Sequence, residues 1–273
     1  MRLRRSHEQT QPEPEPPTLS RRVIFYHYPK SAGTSIKDTI YKLKINRAIF
    51  DSHSFHDIEK LCYNAYVDDP TKPIQYVHIH EWNPVNMFRS FIPAPTDFTF
   101  TIIREPISLF YSIYYHAFPE TKESDFKEKA FDFNHEPLYR TLIGNTSNIR
   151  EYIDLVLSLG SLFKDKIVPK GYYNRQFLTF LNFVGIYEDL VSSMNYVSKQ
   201  IDGLPSEWSV VLLESNTKQY EKDLSYRRDE LEQFFSEEIV VYTDFKQWCL
   251  TSFQQLDIHF STTSFSSRCH IVN

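Results

Sequence analysis

At 273 residues, with 41% hydrophobic and 16% aromatic side chains, the chain has the means to bury a full core in one large domain. A net charge of −5 argues against a general nucleic-acid binder, although a net count hides local basic patches. No run of 18 apolar residues occurs, so no membrane span is expected, and Cys62, Cys249 and Cys269 are too scattered to give a disulfide framework.

Residues 1–20 read as a disordered tail. Gln11-Pro12-Glu13-Pro14-Glu15-Pro16-Pro17 is rich in proline and acid, so it favours extended conformers and builds no core. The first ten residues also lack the apolar centre of a signal peptide. The expected folded domain spans 21–260, followed by a Ser/Thr-rich tail over 261–273. Cys249 and Cys269 can pair or stay free thiols.

An apolar strand is expected over Val23–Tyr28, and it runs into a short polar turn before a helix from Thr34 to Leu43. The turn is Lys30-Ser31-Ala32-Gly33-Thr34-Ser35. Such a corner cradles anions. Backbone N–H groups line it, Gly33 permits close approach, and the helix amino end carries positive dipole charge. Lys30 adds a cation, while Ser31, Thr34 and Ser35 add hydroxyl donors. It is not a Walker loop, because the lysine precedes the single glycine. A strand–turn–helix corner with no ligand is the plain alternative.

A helix is expected over Asp51–Tyr66, then a strand over Ile74–His80 and a loop over Asn83–Pro95. Alternate strand positions face the same way, so His78 and His80 share one face. Histidine is the commonest general base near neutral pH. The pair can also be packing residues or half of a zinc site, and Glu81 beside it is a fallback base. No second metal cluster is evident, so no metal is expected.

Phe98–Arg104 reads as a buried parallel strand, and Pro106–Phe118 as the helix after it. Arg104 falls where the strand stops, and Ser112 falls about two turns into the helix. An arginine fork suits phosphate oxygens; a surface ion pair is the plain alternative. Residues 119–150 are polar and irregular. Helices follow at Glu151–Leu162 and from Asn174, then a strand at Phe183–Tyr187. Glu188 and Asp189 open the next helix and fit its dipole without any chemistry. Arg227–Trp248 is a long amphipathic stretch. The alternation points to a single α/β domain with a mainly parallel central sheet flanked by helices and a P-loop-like anion-binding turn. Its ligand should lie at the carboxyl ends of the strands.

Pro29-Lys30-Ser31-Ala32-Gly33-Thr34-Ser35 resembles the 5′-phosphosulfate loop of sulfotransferases, most of all the carbohydrate branch. Arg104 and Ser112 match that family's 3′-phosphate pair, an arginine with a serine eight positions on. Ile102–Tyr115 resembles the uronyl 2-O-sulfotransferase type, which carries a similar His-x-His between the two segments. The resemblance covers about residues 22–248, weakly outside the motifs. It implies 3′-phosphoadenosine 5′-phosphosulfate (PAPS) as donor, bound by Lys30, Ser31, Ala32, Gly33, Thr34, Ser35, Arg104 and Ser112. It implies His80 as base, His78 as its helper and Lys30 at the leaving oxygen. Asn174 and Gln176 carry over faintly as nucleotide neighbours. The implied acceptor is a hydroxyl, on a carbohydrate or on a small metabolite. A P-loop-like kinase and a non-catalytic nucleotide or glycan binder stay open beside it. As given, the chain is expected to be soluble and cytoplasmic. Animal carbohydrate sulfotransferases are usually anchored in the Golgi, so a Golgi-luminal fragment is the other expectation.

Overall fold

Residues 18–51, 65–80, 92–117, 146, 148–160, 164, 172–204 and 225–266 are described by the computed structural model. Expectations for residues 1–17, Cys62, Glu81, the loop 83–91, most of 119–150 and Cys269 lie outside those residues.

Six strands form one sheet in the order β3-β2-β4-β1-β5-β6. They are β1 (Val23–His27), β2 (Arg47–Asp51), β3 (Ala65–Val67), β4 (Tyr76–His80), β5 (Phe98–Ile103) and β6 (Phe183–Ile186). Five run parallel, and β3 pairs antiparallel with β2 at the edge. Parallel strands covered on both faces need continuous apolar runs, and β5 is buried along its whole length. Register places Phe25 beside His78 and Phe100, and His27 beside His80.

The helix expected over Asp51–Tyr66 is corrected at both ends. Asp51 closes β2, and Ala65 and Tyr66 belong to β3. The sheet overrides the local pattern here, because Ala48 and Ile49 find parallel partners in Val77 and His78 of β4.

Helix α1 (Gly33–Lys42) follows β1 and leads toward β2. Helix α2 (Pro106–Ala117) follows β5, with proline at its first position. Its Ile107, Phe110, Tyr111 and Tyr114 are all buried. Helix α3 (Ile149–Leu159) is capped by Asn148, whose side chain accepts from two backbone N–H groups. Then come α4 (Arg175–Thr179), a 3-10 turn at Tyr187–Asp189, α5 (Leu190–Lys199) and α6 (Arg228–Phe234). Helix α7 (Ser236–Ser266) outruns the expected stretch and enters the expected tail, so residues 261–266 are helical. No glycine or proline interrupts that segment. Tyr242, Phe245 and Cys249 make the buried stripe of α7. Packing starts at Leu19, and the Ser20 N–H donates to the Asp202 carbonyl.

The chain leaves β1 toward β2 on one side of the sheet, and leaves β5 toward β6 on the other. Adjacent strands with diverging connections open a crevice at their carboxyl ends. The turn after β1 and Arg104 after β5 both lie there.

Candidate functional site

The turn between β1 and α1 is unusual in its backbone. Lys30 has φ 65° and Ala32 has φ 62°, both left-handed without being glycine. Each costs about 1–3 kcal/mol, and such residues cluster where a binding surface needs them. Left-handed residues within a turn curl successive N–H groups toward one side. Ala32 precedes α1 and gives no side-chain cap, so the first amides of the helix keep their donors. Thr34 is exposed there and Ser35 is half-buried.

The two cations of the sequence motifs meet at this turn. Arg104 is buried, and its Nη1 points to the Lys30 carbonyl at 3.4 Å. Its guanidinium lies over the Tyr187 ring, 4.1 Å from the centroid. Its Nε is buried and meets no hydrogen-bond acceptor among the described residues. Burial, with Arg104 alongside, pushes the Lys30 ammonium down to about 8. Neither cation forms an ion pair among the described residues. Two neighbouring cations without a carboxylate, and an unsatisfied guanidinium nitrogen, make a place for an external anion. Ser112 is buried in α2, but among the described residues no hydrogen bond joins it to Arg104 or to the turn.

Two tyrosines that sequence reasoning missed hold this corner. The Tyr172 hydroxyl bonds Ser31 Oγ and accepts from the Arg104 N–H at 3.1 Å. The Tyr173 hydroxyl donates to the Arg104 carbonyl. Together they tie the ends of β1 and β5. They lie 68 and 69 positions from Arg104, and Tyr172 lies 141 from Ser31, so no spacing could reveal them. Glu188 is structural, accepting from the Glu105 N–H and the Tyr242 hydroxyl. Asn174 caps α4 by accepting from the Phe177 N–H, and Gln176 is exposed.

Beside the cations stands a histidine cluster of three, not two. His78 and His80 share a face of β4, and His27 at the end of β1 joins them. His27 Nδ1 is 3.1 Å from His78 Nε2. The His27 and His80 rings stack with centroids 4.5 Å apart, tilted by 18°. Burial, then His80, His78, Lys37 and Lys30, holds the His27 imidazole well below the usual histidine range. His27 is therefore neutral in a field of positive charge. Rings stacked nearly parallel cannot aim their in-plane lone pairs at one ion. Among the described residues no three His, Cys, Asp or Glu side chains form a group that could hold a metal. Cys249 is a buried free thiol on α7, far along the chain from this cluster.

Gly33 admits His27. A Cβ on Gly33 would lie 1.8 Å from His27 Cε1, so any other residue would expel the ring. The sequence made Gly33 legible as a close-approach position, but not what approaches.

A separate open groove of about 810 Å³ lies at the amino ends of the strands, lined in part by Arg21, Arg47 and Lys72. It holds none of the residues above. A scan against protein-family models found no match, and a search of curated proteins found no significant one.

Proposed function

We propose that this protein is a PAPS-dependent sulfotransferase acting on an acceptor hydroxyl, with a carbohydrate favoured as acceptor. One observation carries the proposal. Lys30 and Arg104, neither with a carboxylate partner among the described residues, converge beside the uncapped amino end of α1, and a histidine cluster stands alongside on β1 and β4. The residues suit the donor's two anionic ends. The turn Lys30–Ser35 would take the 5′-phosphosulfate, and Arg104 and Ser112 the 3′-phosphate.

The residues divide the work of in-line transfer. His80 accepts the proton of the acceptor hydroxyl as that oxygen forms its bond to sulfur. Lys30 and the α1 amides stabilise the charge left on the bridging oxygen as the old S–O bond breaks. The nucleotide departs as adenosine 3′,5′-bisphosphate carrying that electron pair. Tyr172 and Tyr173 hold the two binding loops at a fixed spacing. His80→Ala should lower turnover by about 10²-fold with donor binding kept.

The deciding experiment is calorimetric titration of adenosine 3′,5′-bisphosphate, with ATP, 5′-AMP and Arg104→Ala as controls. Binding that requires both the 3′-phosphate and Arg104 supports the proposal. A preference for magnesium-ATP would overturn it in favour of a kinase. Binding without sulfate transfer to any acceptor in a labelled-PAPS screen would point to a non-catalytic binder.

A further inference from the structure

His27 belongs to neither phosphate motif nor to His-x-His, yet its ring packs directly against Gly33 at the start of α1. The slot it fills is the one a Gly33 side chain would occupy, 1.8 Å from Cε1 and 1.9 Å from Nε2. On a helix the Cα–Cβ bond tilts toward the amino end. The Nε2 edge of His27 therefore lies on the amino-terminal side of the first residue of α1. That is the side on which the free helix amides gather.

The opposite nitrogen is fixed by a buried chain. His27 Nδ1 meets His78 Nε2 at 3.1 Å, and His78 Nδ1 meets the Tyr76 hydroxyl at 3.3 Å. Tyr76 is fully buried, and burial raises its phenol well above the usual range, so it keeps its proton. Its one hydrogen-bond partner among the described residues is His78, so the O–H donates to His78 Nδ1. His78 then bears its proton on Nε2 and donates to His27 Nδ1. A neutral His27 must carry its proton on Nε2, a tautomer assigned from the network. Among the described residues the charged and titratable groups facing His27 are His78, His80, Lys30 and Lys37, all basic, and burial first, then these groups, keep it neutral.

We infer that His27 is an anion-contacting residue whose Nε2–H, oriented by Tyr76 through His78, donates to the anion held at the amino end of α1. Resting on the sulfotransferase proposal, this makes His27 a donor to the sulfuryl group or its bridging oxygen. Tyr76 and His78 are then positioning residues. A neutral imidazole serves here because it donates without surrendering a proton to the leaving group.

The test uses the full chain in three measurements. Nitrogen-15 imidazole spectra of the ligand-free protein should show His27 protonated at Nε2, and Tyr76→Phe should mix its tautomers. Titration of inorganic sulfate and of adenosine 3′,5′-bisphosphate should weaken by about tenfold or more in His27→Phe, the worth of a hydrogen bond to a charged group. His27→Gln, which restores a donor, should recover most of that loss. Thermal melts check that each variant folds. A ring that merely fills space predicts the reverse order, with Phe tolerated and Gln not, and that order would overturn the inference. So would an Nδ1–H tautomer. Failure of the unaltered chain to bind the bisphosphate would instead overturn the sulfotransferase proposal, with sulfate binding and the tautomer still deciding the role of His27.

Discussion

The two ends of the sheet treat positive charge in opposite ways. At the amino ends, three cations each have a carboxylate close by. Arg22 meets Asp97 through two hydrogen bonds, Arg47 meets Asp68 at 2.7 Å, and Lys72 meets Asp69 at 3.2 Å. At the carboxyl ends, Lys30 and Arg104 lie beside one another, and among the described residues no acid answers them. The amino end has an open groove, but three of the cations lining it are already matched. Cations matched by carboxylates hold a fold together; cations left unmatched and partly dried raise the potential for a ligand.

The sharpest way to break this contrast is Arg22→Ala. It would strand Asp97, whose side chain is 3% exposed, with only the Ala94 N–H still reaching it. A loss of about 2–3 kcal/mol in urea unfolding is expected, somewhat below that of a fully dry pair because Arg22 is partly exposed. Anion affinity should not change. Arg104→Met is the mirror experiment. Bisphosphate affinity should fall about tenfold or more, while the melting temperature holds or rises, since an unpaired buried cation is removed. A large drop in melting temperature instead would make Arg104 a structural residue and erase the contrast.

Lys30 sharpens it through pH. Its folded value of about 8 lies below its unfolded value of about 10.4. Above pH 8 the unfolded chain therefore binds more protons than the folded one, and stability rises with pH up to the unfolded value. Anion affinity should move the other way and decline as Lys30 loses its charge, which titrations at pH 7 and 9 would reveal. The smallest effect belongs to Lys72→Ala. Its pair with Asp69 is mostly exposed, and a change within about 0.5 kcal/mol is expected from unfolding curves.

Much of the scaffold was legible in the sequence because buried parallel strands leave continuous apolar runs. Val23–Tyr28, Phe98–Arg104 and Phe183–Tyr187 each lost a residue or so at the carboxyl end. Strand β2 was not legible. Arg47-Ala48-Ile49-Phe50-Asp51 is short and charged at both ends, and its pairing with β4 depends on partners about thirty positions away. The candidate site divides along the same line. Lys30 and Arg104 stood out because each follows a strand. His27 did not, although it is one strand over from His80, because cross-strand register leaves no spacing in the chain. Tyr172 and Tyr173 were hidden for the same reason.

Lys30 and Ala32 hold left-handed backbone where glycine would relieve strain. A glycine at either place would also enlarge the freedom of the turn before any ligand arrives. Keeping side chains there leaves the curled amides in one arrangement, so an arriving anion meets donors already aimed at it. The ordering cost that ordinarily erodes affinity is then met during folding, not at each binding event. On this view the strain of the turn is preorganisation, and Ala32→Gly should give a steadier protein that binds its anion more slowly and less tightly.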